Sequence, residues 1–194
     1  MAGRGRRMGY ENRSVPLRRP GVPSATASGE EVLDIPHFMN KVNEISTKNV
    51  DPILINDLEV MFKQLCTSHE ALVNVLSNLH CKALCDHTFG EKVVVLMEHI
   101  SSLEMHNVTV RSELLKFLQS DYHVKDTMSQ SDKAKFLNAV MFLGGIYWRV
   151  KVCNKPIFIL GAALLEYLDL LLQGEELQIK IFTMQVRLPF DYFD

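Results

Sequence analysis

The sequence predicts an all-α protein, an α-solenoid built from antiparallel helix pairs. Three observations carry this reading. Amphipathic stripes at helical spacing follow one another from residue 34 to residue 173, with short polar breaks between them. No convincing period-two strand interrupts them in the body of the protein. The stretch 131–173, SDKAKFLNAVMFLGGIYWRVKVCNKPIFILGAALLEYLDLLLQ, reads as two heavily apolar helices joined by a short basic turn at 152–155. Each stripe is wider than one partner helix would cover, and antiparallel pairs stacked in sequence would cover it. A crisp sequence repeat is missing, which loosely patterned helical repeats tolerate.

Composition agrees with this. A protein of 194 residues, 47% hydrophobic and 23% charged, suits one domain with a substantial core and flanking tails. The formal net charge of −2 argues against a uniformly basic nucleic-acid binder. The charge is nevertheless uneven. Across 1–29 the single acid, Glu11, faces Arg4, Arg6, Arg7, Arg13, Arg18 and Arg19. This segment is rich in Arg, Gly, Pro and Ser and poor in large aliphatics, so it is expected to stay disordered as a basic tail, residues 1–31. Its first reading is a solubilising tail. Its second is an RNA-binding arm, since arginine pairs with phosphate oxygens in bidentate fashion.

Order is expected from Asp34, an N-cap with Pro36 in the first turn and Phe38, Val42 and Ile45 at helical spacing. After a break at 47–50, Asp51 and Pro52 restart a helix with Leu54, Leu58, Met61, Phe62 and Leu65 as its stripe. Ser68 opens a third, whose apolar face is Leu72, Val75, Leu76, Leu79 and Leu84. The spacing then predicts a turn over 86–90 and a fourth helix over 93–103 with Val94, Leu96, Met97 and Ile100 inside. Asn107 or Thr109 starts a fifth, burying Val110, Leu114, Leu115, Phe117 and Leu118, and 125–131 is expected to be a polar connection.

In the sixth helix Phe136, Val140, Leu143, Tyr147 and Val150 share one stripe, which Leu137, Met141 and Trp148 widen. A helix so broadly apolar is expected at the centre. Gly144 and Gly145 cost it roughly 1 kcal/mol each relative to alanine, so close approach of a neighbouring helix is the expected compensation. On the next helix Glu166, Asp169 and Gln173 form a polar face expected to meet water.

The chemistry-bearing residues point away from catalysis. The sequence has no phosphate-binding glycine loop, nucleophile elbow or HExxH signature, and no catalytic, cofactor-binding or metal site is expected. Cys81 and Cys85 share a helix face, yet His80 and His87 point elsewhere, so zinc is disfavoured and buried small cysteines are the default. His37, His69, His99, His106 and His123 are scattered without an evident carboxylate or nucleophile partner. Without a secretory leader, Cys66, Cys81, Cys85 and Cys153 are expected reduced, and the protein cytoplasmic and unattached to membranes. The triplets starting at Asn12 and Asn107 are then chance glycosylation matches. Arg149, Lys151 and Lys155, around the basic turn, are the candidate partner-binding residues.

The stretch from Phe142 to Arg149 (FLGGIYWR) and the one from Lys155 to Leu172 resemble the middle domain of eukaryotic translation initiation factor 4G. So do the helix over 34–46 and the element RSELLKFLQS at 111–120; the resemblance covers roughly 32–173. It implies a HEAT-type scaffold over 32–174 that acts without catalysis. The implied role is in translation initiation or its regulation. The implied partners are initiation factors, a DEAD-box helicase or the ribosome-recruiting complex, with RNA for some members; this protein is expected to be a monomer. The alternative is a direct RNA-binding module using the arginine arm and the basic turn. Where the family domain continues with further helices, 175–194 is β-leaning and aromatic. It reads as a divergent tail, and the domain as C-terminally truncated relative to the family.

Overall fold

The structure, a computed structural model, describes residues 33–172; the arginine-rich segment and the segment from residue 173 onward lie outside the described residues. Eight helices make up most of it: α1 (Ile35–Val42), α2 (Pro52–Leu65), α3 (His69–Cys85), α4 (His87–Ile100), α5 (Val110–His123), α6 (Lys125–Ser131), α7 (Lys133–Arg149) and α8 (Phe158–Leu172). Two minimal antiparallel hairpins interrupt them. One pairs β1 (Glu104–Met105) with β2 (Val108–Thr109), and the other pairs β3 (Lys151–Val152) with β4 (Lys155–Pro156).

The helix starts follow local chemistry. Asp34, Asp51, Ser68 and Thr109 each accept a hydrogen bond from a backbone N–H in the first turn, as the sequence leads one to expect. The expected turn over 86–90 is instead the start of α4. Asp86 closes α3 and also caps α4 through the Phe89 N–H, so one residue separates the two helices. The polar connection at 125–131 is likewise a short helix, α6, with Met128 buried.

The residues that meet between elements give the helix directions. On α4 and α7, Val94 meets Gly145 and Glu98 meets Arg149, so the two helices run parallel. On α3 and α5, His69 meets Glu113 and His80 meets Asp121, so these also run parallel. Against α7, α3 is antiparallel, because His80 faces Phe142 while the Leu84 carbonyl accepts from Asn138. Opposed helices thus lie side by side, α3 with α4 and α3 with α7. Finally α8 runs antiparallel to α7, with Gly161 on Tyr147 and Tyr167 on Phe136.

One contiguous core joins all eight helices, from Phe38 on α1 to Leu171 on α8. The expected central helix is central: α7 packs on α3, α4, α6 and α8, with Phe136, Val140, Leu143 and Val150 buried. Close approach explains Gly145, since a Cβ there would lie 2.9 Å from Val94 Cγ2. Among the described residues, no helix is long and apolar enough to cross a membrane.

Candidate functional site

The basic turn between α7 and α8 is a two-residue β-hairpin. Val150, buried and donating to the Ile146 carbonyl at 2.9 Å, anchors its base. Lys151 then pairs with Pro156 and Val152 with Lys155. Cys153 and Asn154, at φ 50° and 61°, take the left-handed conformations that a two-residue turn between twisted strands needs. No glycine supplies them, which is why the turn chemistry is hard to read from sequence. The 104–109 hairpin repeats the device with His106 and Asn107, and His106 Nε2 lies 2.8 Å from the Cys66 carbonyl oxygen.

The three candidate partner-binding residues divide in two. Lys151 and Lys155 are exposed on the hairpin. Arg149, at the end of α7, donates to Glu98 Oε2 at 2.8 Å and ties α7 to α4. Its guanidinium is therefore partly committed to the fold. Next to the hairpin, α8 begins with Phe158, 89% exposed, and Ile159, 70% exposed. Two exposed lysines, on opposite faces of the hairpin by its register, and two exposed large apolar residues thus lie close together in sequence, and they offer groups for acidic and apolar partners. The candidate RNA-binding arginines Arg4, Arg6, Arg7, Arg13, Arg18 and Arg19 lie outside the described residues.

Two histidines that lack a carboxylate at short sequence spacing have one in space, and both pairings join α3 to α5. His80 is buried beside Phe117 and Phe142 with its Nε2 2.7 Å from Asp121 Oδ2. His69 Nε2 lies 3.2 Å from Glu113 Oε1, and Lys116 donates to the same carboxylate at 2.8 Å. Burial alone would push the Glu113 carboxyl up, but donation from Lys116 and His69 outweighs it and holds the group below its ordinary range.

A third cluster seats α8. Lys125 lies 3.4 Å from Glu166 and 4.2 Å above the Tyr122 ring. Hydrogen bonding from Tyr122 and then from Lys125 lowers the Glu166 carboxyl. Glu166, expected to meet water, is thus also a structural contact.

The cysteine expectation needs correcting. Only Cys66 is buried, its thiol pushed up to about 12 by desolvation, whereas Cys81, Cys85 and Cys153 are exposed. Cys81 and Cys85 lie toward the outside of α3, away from the face that packs on α4 and α7. His80 turns inward and His87 reaches Glu91 at 3.4 Å, so the four do not converge. Among the described residues, no group of three or more His, Cys, Asp or Glu residues is placed to hold a metal.

The sequence matches no family model. It is similar to a CBP80/20-dependent translation initiation factor of Xenopus tropicalis, 25% identical over 112 residues. The match covers 57% of this protein and 19% of that one, so it takes in less than a fifth of the relative's length. The similarity is to a translation-initiation-factor-related protein.

Proposed function

We propose that this protein is a non-catalytic scaffold in translation initiation or its regulation, and that it binds initiation-factor proteins through the 151–156 hairpin and the start of α8. The similarity to the CBP80/20-dependent factor carries the reading. The geometry supports it, because opposed helix pairs lying side by side present long outer faces and connecting turns, the surfaces that helical repeats use to hold partners. In this reading 32–174 is a HEAT-type unit like the middle domain of initiation factor 4G. Its partners are the class engaged by that family, a DEAD-box helicase or the ribosome-recruiting complex, or factors working with CBP80/20 as the relative's name indicates. A cytoplasmic place of action goes with this role.

The test is affinity capture with the full-length protein from nuclease-treated extract, read by mass spectrometry. Initiation factors are expected on the wild type and lost from the Lys151→Glu/Lys155→Glu variant. Recovery of none on the wild type would reject the proposal.

The exposed lysines beside Phe158 favour one second reading, direct RNA binding through the hairpin and the arginine arm, because cations with an adjacent aromatic face suit phosphate and base. That reading requires RNA affinity that falls steeply with salt and is lost on removal of 1–29.

A further inference from the structure

The last described helix is apolar on two sides. Its inner face, with Leu160, Leu164, Tyr167, Leu168 and Leu171, is buried. Its outer line, Phe158, Leu165 and Leu172, one heptad apart, is 89%, 65% and 52% exposed. In a stack of helix pairs a terminal helix needs a polar outer side to face water. A stripe this apolar marks a covered surface.

We infer that the protein's own segment 177–193 folds back over this outer face of α8 and brings its acidic end to the 151–156 hairpin. Three observations choose that occupant over a second copy or a separate protein. The first is chemistry. The segment carries two period-two apolar runs of opposite phase, Leu177–Ile179–Ile181 and Phe182–Met184–Val186–Leu188–Phe190, and the longer second run alternates as an extended strand laid on an apolar surface would. The second is reach. The fifteen residues of α8 span about 22 Å, a return that needs about seven extended residues; the second run, 182–190, supplies them, and 177–181 is left for the turn, so the segment has the reach. It begins a few residues beyond Leu172, so the loop that docking must close is short and its entropic cost small. The third is charge. Asp191 and Asp194 follow the apolar runs, and a return along α8 delivers them to the exposed Lys151 and Lys155.

The fold-back rests on the α8 face and not on the proposed role in translation, and it holds or fails separately. It adds a consequence for that role: a partner that uses the hairpin would compete with the protein's own acidic end.

Zero-length carbodiimide cross-linking tests it on the full-length protein, using an equal mixture of unlabelled and heavy-isotope-labelled material. The expected products are peptides that join Lys151 or Lys155 to Asp191 or Asp194 within one isotope. In Leu165→Glu their yield should fall, and amide exchange over 177–188 should speed up by at least about tenfold. Exchange over α3, α4 and α7 serves as the control that the variant stays folded. Mixed-isotope peptides would replace the inference with a second copy on this face. Absence of both kinds of peptide, or yields and exchange indifferent to Leu165→Glu, would overturn it outright.

Discussion

Gly145 and Gly161 are both helical and both closely approached, yet they predict opposite outcomes for the same substitution. A Cβ at Gly145 would sit 2.9 Å from Cγ2 and 3.1 Å from Cγ1 of Val94, a β-branched residue with one favoured rotamer in a helix. At Gly161 the nearest atoms, from 3.0 Å, belong to the outer edge of the half-buried Tyr147 ring, which can swing aside. Alanine gains about 1 kcal/mol of helix propensity at either site, while overpacking costs about 1–3 kcal/mol where the neighbour is fixed. Gly145→Ala should therefore lower the midpoint of denaturant unfolding, and Gly161→Ala should leave it unchanged or raise it. Close packing at Gly145 is legible in the sequence, because a costly residue in an apolar helix needs a compensating contact. That Val94 is the neighbour is not legible there. The contact depends on α4 and α7 lying parallel, a relation set by the packing of the whole fold.

At the level of elements, the α3–α5 interface is held partly by charge. Glu113 is buried with its pKa below the ordinary value of 4.5. The folded state therefore binds the proton more weakly than the unfolded state does. The stability this group contributes is fully present above about pH 4.5 and is lost as pH falls through the lower folded value. The deficit of Glu113→Gln relative to wild type should be largest near neutrality and shrink as thermal melts are run at more acid pH. A deficit independent of pH would mean that the carboxylate's charge is not what matters. The α7–α8 hairpin makes a different prediction. Cys153 adopts φ 50° without the local hydrogen bonding that lets asparagine tolerate this region. Changing Cys153–Asn154 to Asn–Gly, the preferred pair for such a turn, should stabilise the protein by about 1 kcal/mol, seen as a higher melting temperature. These elements also mark the limit of sequence reading. Caps at Asp34, Asp51, Ser68 and Thr109 are legible because a cap is a contact within three residues. The start of α4 escapes it because Asp86 serves two helices at once. The hairpins escape it because His–Asn and Cys–Asn supply the positive φ that glycine usually announces. The histidine–carboxylate pairs join residues some forty positions apart, beyond any local pattern.

The arrangement of the whole molecule determines how far a disturbance spreads. If the helix pairs form a stack, each pair depends mainly on its neighbours, and loss at one end stays there. If they form a closed bundle, any core defect weakens every helix. Phe38 and Ile146 separate the two cases, since both are fully buried but differently placed. Phe38 lies on α1 against the Phe62 ring of α2, centroids 6.1 Å apart, and α1 packs only on α2, α3 and α4 among its main partners. Ile146 lies on α7, which links the α3–α4 pair to α6 and α8. Truncation of such core residues costs about 2–5 kcal/mol, a large share of the roughly 5–15 kcal/mol that typically holds a domain together. In native-state hydrogen exchange, Phe38→Ala should accelerate amides of α1 and α2 while those of α7 and α8 keep their wild-type protection. Ile146→Ala should accelerate exchange in α3, α4, α7 and α8 together, because it removes a contact these helices share. Equal acceleration everywhere in Phe38→Ala would contradict a stack and make the protein a closed helical bundle. The outcome bears on function as well as fold, since only a stack lets a change at the α8 end leave the opposite end folded.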